Sequence, residues 1–290
     1  MKPVPAVPRT SSAHIFATVK GTGVTVTANL ISSSRSAGQR RTADTRPAAP
    51  TALAVDLGSS TIGVWAAHRG TVSGPCGDAY ASVTTLVRRG RIVDVDSCIT
   101  MLSQLIGRYS DPIPSGGVVV ACRPVLAGEQ DQARMRHVLE AVFEPSRLVF
   151  IDTVRAAAVG SGAAAGTLLI ADLGAQLTEV AVLKNGHVIA ARRAEIGTCD
   201  LDRGATADLI SDIVARHIDD MRASPAASDL QSATKRGLLL VGDGAVYPDL
   251  SAALSTTLRL HVHRAVAPRT AALNGAGLAA MSLIRHPSRN

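Results

Sequence analysis

Two stretches of this chain combine residue types that suit phosphate chemistry: Asp56-Leu-Gly-Ser-Ser-Thr61 and Asp172-Leu-Gly-Ala-Gln-Leu177. Each sets a carboxylate at the end of a short apolar run, turns on Gly, and resumes an apolar run. A carboxylate so placed can hold Mg2+, usually through water, because this ion dehydrates reluctantly. The N–H groups of a Gly-containing turn point into one concavity and can receive phosphate oxygens. Asp56 and Asp172 are therefore the candidate metal-holding groups. Gly58, Ser59, Ser60 and Thr61 form the first candidate phosphate turn, and Gly174, Ala175 and Gln176 the second. A third segment, Gly242-Asp243-Gly244, leaves an apolar run and enters a helical one, which suits backbone contact with a ribose or an α-phosphate. Asp and Ser are also common in plain turns. The weight lies in the duplication, because the flanks of the two turns repeat as well.

Those flanks must position the turns, and their order recurs. Behind the first turn come a helical stretch 99–109, a strand 117–122, a helix 129–143, a strand 148–151 and a small-residue helix 155–160. Behind the second come a helix 209–221, a strand 238–241, a helix 250–258, a strand 260–263 and a small-residue helix 269–277. Matching points lie roughly 115 residues apart, well beyond the ~20–50 residues of a solenoid unit. Alternating helices and strands predict an α/β fold of two related lobes. The antiparallel hairpin that opens each half makes both sheets mixed. Lobes over 51–165 and 166–285 follow, with an arm 1–50 and a tail 286–290. Asn185-Gly186 supports the positive φ angles of a tight hairpin turn. Gly162 and Gly277 are expected to let the two small-residue helices cross closely at a hinge. Thr178-Glu179 reads as an outward pair on an alternating strand, and Arg88-Arg89-Gly90-Arg91 as a surface hairpin turn. One long helix and a loop fit between Gly197 and Val241.

Composition narrows the partners. The net charge is +7, yet seven basic residues against a single Asp44 lie within residues 1–50, so the folded part is nearly neutral. With three Phe, three Tyr and one Trp, base-stacking platforms for nucleic acid are not expected. The arm is rich in Ser, Thr, Ala, Pro and Arg and lacks a signal-like apolar run, so it is expected to be disordered and suited to peripheral contact with an anionic membrane. Cys76, Cys98, Cys122 and Cys199 show no metal-ligand spacing and fit reduced thiols in a cytoplasmic protein.

The set resembles the actin/heat-shock-chaperone/sugar-kinase superfamily, with its two phosphate hairpins, two connecting helices and adenosine loop in this order. Within it the chain looks most like the bacterial actins of the rod-shape-determining MreB group, over about residues 51–284. The carrying residues are Asp172-Leu-Gly174, Thr178-Glu-Val-Ala-Val-Leu-Lys-Asn-Gly186, Glu195-Ile-Gly197, Val241-Gly-Asp-Gly-Ala245, Pro268-Arg-Thr-Ala271 and Asn274-Gly-Ala-Gly277. In the first half, Val118-Val-Val-Ala-Cys-Arg-Pro124 and Ala156-Ala-Ala-Val-Gly160 match the same group. The resemblance implies a duplicated actin-like, ribonuclease H-like fold and a site for ATP with Mg2+. It also implies self-association or protein partners in cell-wall synthesis, at the inner face of the membrane.

Several departures bear on activity. Ala175, Gln176 and Leu177 stand where the group has Gly, Gly and Thr, and each Cβ obstructs a close approach of phosphate to backbone. Thr153 stands where the group has the Glu that orients the attacking water, leaving Asp152 or Asp172 for that task. Asp243 replaces a Gly, which is unfavourable beside an anion unless Mg2+ or an Arg compensates. The outer subdomains look reduced or absent. The expectation is a degenerate ATPase, binding ATP weakly or not at all, that serves as a cytoskeletal or adaptor protein in cell-shape or cell-wall machinery. The rivals are an active ATPase or small-molecule (sugar) kinase of the same superfamily, and a nucleotide-free protein-binding module.

Overall fold

The computed structural model describes residues 51–76 and 86–286. The expected basic arm, most of the terminal tail and the stretch 77–85 lie outside the described residues. The first half opens with β1 (Ala52–Leu57), β2 (Thr61–Ala66) and β3 (Gly70–Pro75), followed by the small hairpin β4 (Val87–Arg88) and β5 (Arg91–Ile92). Helix α1 (Val95–Ile106) begins at Asp94, whose carboxylate accepts the Ser97 N–H at 3.0 Å and so satisfies an orphan donor of the first turn. Then come β6 (Val118–Arg123), α2 (Glu129–Phe143), β7 (Arg147–Asp152) and α3 (Thr153–Gly160).

The second half repeats this plan. It runs β8 (Thr167–Leu173), β9 (Thr178–Lys184), β10 (His187–Ala194), a 3-10 turn Thr198–Arg203, α4 (Ala207–Arg222) and α5 (Ala227–Thr234). It closes with β11 (Leu238–Val241), a 3-10 turn Asp243–Val246, α6 (Pro248–Leu258), β12 (Val262–Arg264) and α7 (Ala271–Arg285). The sheets are ordered β3-β2-β1-β6-β7 and β10-β9-β8-β11-β12, the same topology twice. In each, the opening hairpins are antiparallel and the later strands parallel, so both sheets are mixed as expected.

Three differences from the sequence expectation have plain causes. β3 lacks an apolar run because it is an edge strand with alternately exposed residues. The segment between Gly197 and Val241 holds a second helix, α5, which buries only Leu230 and Ala233 and so gives a weak periodic signal. α7 continues past Gly277 to Arg285, since the glycines inside it face neighbours and do not end it. The Asn185-Gly186 turn is as expected, with φ of 49° and 74° and a two-residue connection from β9 to β10.

Side-chain size sorts the core into layers. On β1, Leu53 and Val55 face α1 and α2, while Ala52 and Ala54 face a middle layer built from α3 and α7. On β8, Leu169 and Leu173 face α4 to α6, while Leu168 and Ile170 face the same middle layer. That layer is dominated by Ala156, Ala157, Ala158, Ala271, Ala272, Ala276 and Ala280, so the two helices approach backbone to backbone. The crossing glycines are Gly160 and Gly275. A Cβ on Gly160 would overlap the Ala271 carbonyl, and one on Gly275 would overlap the Ala156 carbonyl. Gly162, expected at the crossing, lies beyond α3 with open space around it, and Gly277 faces the Trp65 ring.

Candidate functional site

Both Asp-Gly turns open onto one cavity of about 480 Å3 between the two sheets. Strand pairing places the acids. β1 ends beside β2 with Asp56 opposite Gly63, and β8 ends beside β9 with Asp172 opposite Glu179. β11 runs parallel to β8 with Val241 opposite Asp172, which brings Gly242 against that carboxylate. Only glycine fits there, because φ is +82° and a Cβ would overlap the Asp172 side chain. Asp56, Gly58, Ser59, Ser60, Thr61, Asp172, Gly174, Ala175, Gln176, Gly242 and Asp243 all line the cavity. Gly244 does not; it is packed under Leu173.

The turns retain backbone donors. Gly58 N–H is taken by the Thr61 carbonyl at 3.1 Å and Gly174 N–H by the Leu177 carbonyl at 2.9 Å. The N–H groups of Ser59, Ser60, Ala175 and Gln176 donate to no acceptor among the described residues. The second turn is braced from below, where Thr198 and Cys199 N–H groups donate to the Gly174 and Ala175 carbonyls.

Acids outnumber bases in the cavity's lining, with Asp56, Asp172, Glu179 and Asp243 against Arg269. Burial, then the neighbouring Asp243, pushes the Asp56 carboxyl up to about 6. Burial, then Asp56 and Asp243, pushes Asp172 up to about 7. Glu179 is raised well above the usual carboxylate range by burial and then by Asp172, although its carboxylate accepts the Val125 N–H. Cys122, at the floor, is likewise pushed well up by burial and these acids. Asp243 has the compensating partner its position demands, Arg269 at 2.9 Å.

Asp152 sits elsewhere. It pairs with Arg123 at 3.0 Å and does not line the cavity, whereas Thr153 does, its hydroxyl donating to the Arg123 carbonyl at 2.9 Å. Glu179 had been expected to face outward, but Thr178 and Glu179 are both buried. The signal was present: 180–183 is an uninterrupted apolar run, the mark of a strand covered on both faces, where no side chain finds bulk water.

A magnesium nucleotide fits these residues. Four N–H groups without an acceptor among the described residues suit phosphate oxygens, and clustered carboxylates held partly protonated by burial and then by mutual repulsion would be relieved by a cation. Among the described residues no three His, Cys, Asp or Glu side chains form a metal-ligand group. Because Mg2+ dehydrates reluctantly, it would be held through water and phosphate, with Asp56 and Asp172 as outer partners.

With this architecture the chain has the actin-like two-lobed fold. No family model and no curated protein sequence matches it. Among solved structures it is similar to MreB5 of Spiroplasma citri bound to AMPPNP, at 13% identity and TM-score 0.71 over 83% of this chain and 99% of that one. The MamK double helical filament is similar at 11% identity and TM-score 0.67, over 80% and 99%. The ethanolamine utilization protein EutJ of Carboxydothermus hydrogenoformans is similar at 17% and 0.56, over 79% and 89%. At such identities the shared property is the fold.

Proposed function

We propose that this chain is an MreB-like bacterial actin homologue, a cytoskeletal or adaptor protein of cell-shape or wall-synthesis machinery, whose cleft binds ATP weakly and hydrolyses it poorly. The observation that carries the reading is the single cavity lined by both Asp-Gly turns and by the Gly242 loop. Its similarity to MreB5 bound to AMPPNP and to the MamK filament supports a nucleotide site and association through protein contacts.

In this reading the backbone of Ser59, Ser60, Ala175 and Gln176 holds the phosphates, and Gly242 admits the ribose end. Bound Mg2+ would supply charge neutralisation between phosphates and acids. The side chains of Ala175, Gln176 and Leu177 restrict the approach to the second turn, which weakens binding. Asp152 is engaged by Arg123, and Thr153 has no carboxylate with which to accept a proton. The acids left to orient water are Asp172 and Glu179, which line the cavity. In this reading the protein works in the cytoplasm, at the inner face of the membrane.

Titration with a fluorescent ATP analogue, with and without Mg2+, tests the site. Saturable, Mg2+-dependent binding is expected, weakened at least about tenfold by Asp56→Ala, the equivalent of losing roughly 1.4 kcal/mol. No binding at millimolar nucleotide would remove the reading. Turnover at ordinary actin-like rates, abolished by Asp172→Ala, would overturn the claim of poor hydrolysis.

A further inference from the structure

The β4–β5 hairpin is rooted in the first half, where Val87 and Ile92 are 1% exposed among the side chains of α1 and α2. Its two-residue tip, Arg89 and Gly90, reaches into the second half. Arg89 φ is 52° and Gly90 φ is 76°, the geometry that lets so tight a turn project. Arg89 N–H donates to Gln176 Oε1 at 3.2 Å, and its guanidinium to the Gln176 carbonyl at 3.2 Å and to the Glu195 carbonyl. The same guanidinium grips both oxygens of Asp200, at 2.8 and 2.9 Å. Asp200 is itself held, accepting the Gly197 N–H at 2.9 Å. Arg91 adds an ion pair to Glu195 at 2.8 Å, and Gly90 is wedged so that a Cβ would lie 2.9 Å from Pro124 and 3.1 Å from Leu177.

Gln176 belongs to the second Asp-Gly turn, Asp200 to the 3-10 segment that braces it, and Glu195 to the short link that leads from β10 into that segment. The tip also lines the cavity at Gly90. It joins the halves separately from the α3–α7 crossing, through protein groups alone. A bidentate Arg–carboxylate pair is directional as well as strong, and with Arg89 and Asp200 side chains only 21% and 14% exposed, water screens it weakly.

We propose that the Arg89 tip is an interlobe latch, which holds the second Asp-Gly turn in place and keeps the cleft closed without any ligand, so that its release is the step that opens the cavity. The latch stands whatever the cavity binds. In the latched state a ligand meets a turn already fixed by Gln176 and Asp200; in the released state the turn is tied only to its own half.

Hydrogen exchange of the full chain without nucleotide tests this. Arg89→Ala is expected to raise the exchange rates of residues 174–178 and 197–203 about tenfold or more, leaving α3 and α7 unchanged. Asp200→Asn, which keeps an acceptor for Gly197 N–H, is expected to speed the same segments. The double variant should go little beyond Arg89→Ala, because both changes break one contact. Wild-type exchange of these segments in Arg89→Ala would overturn the latch. So would equal loss of protection in α3 and α7, which marks general destabilisation, or strictly additive effects of the two changes.

Discussion

Gly275→Ala is expected to destabilise the protein by about 2–3 kcal/mol, seen as a fall in thermal midpoint of roughly 5–10 °C for a chain of this size. Alanine is the better helix former by about 1 kcal/mol, so helix propensity alone gives the opposite sign. The crossing decides the outcome. A Cβ at Gly275 overlaps the Ala156 carbonyl and lies 2.7 Å from the Gly160 nitrogen, and backbone atoms cannot rotate away as a side chain can. The helices must separate, and the alanine layer between the two sheets then loses its packing. Gly160→Ala should behave alike, since its Cβ would overlap the Ala271 carbonyl. Gly162→Asn is the control: φ is +68° and nothing lies within 4 Å, so a small loss is expected. Thermal denaturation of the three variants checks the ranking. Equal midpoints for Gly275→Ala and wild type would mean that the halves do not meet at this pair.

The second large effect is on pH. Stability of the nucleotide-free protein is expected to fall as pH rises from about 5 to 8. Asp56 and Asp172 have folded pKa values of about 6 and about 7, against 3.8 for the free side chain. Across this window the folded state binds more protons than the unfolded chain, so raising pH favours unfolding. The contribution is complete below about pH 4 and is lost as pH passes through 6 and 7, and the raised Glu179 acts in the same direction. At 1.36 kcal/mol per unit, and allowing for the coupling of the two acids, the loss is on the order of 3 kcal/mol. Asp94 and Asp200 act in the other direction. Hydrogen bonds from Ser97 and from Arg89 hold their carboxyls below the ordinary value, so their contributions fade as acid protonates them. The optimum should therefore lie near pH 5. Denaturant midpoints from pH 4 to 8 measure it, and Asp172→Asn should flatten the alkaline side. A midpoint that rises steadily to pH 8 would mean that these acids are solvated or already paired.

Much of this was legible in residue order. The two Asp-Gly turns, the strands leading into them and helix α2 are where the apolar runs place them, because each is bounded by strong punctuation such as Gly128 and the Asn185-Gly186 pair. The hinge was legible in kind but not in position. Small-residue spacing shows that two helices can approach, whereas which glycines face each other depends on how each helix is rotated. Glu179 was readable as buried once its strand is taken as covered on both faces. Arg89 carried no local signal. Its partners Gln176, Glu195 and Asp200 lie 87, 106 and 111 residues on and are gathered only by the fold.

The exchange of helices between the halves bears on how the chain is made. α3, from the first half, packs on β8 and β9, and α7, from the second, packs on β1, β2 and β6. The face of the first sheet that carries Ala52, Ala54 and Val120 is therefore covered by the latest helix among those described. Roughly 220 residues separate β1 from α7, which at ribosomal elongation rates is on the order of 10–40 s. Through that interval the emerging first half holds an apolar sheet face that α3 covers only in part. The two halves look like twin domains, yet neither can mature on the ribosome ahead of the other. Premature termination anywhere before α7 should yield an aggregating fragment and not a folded half.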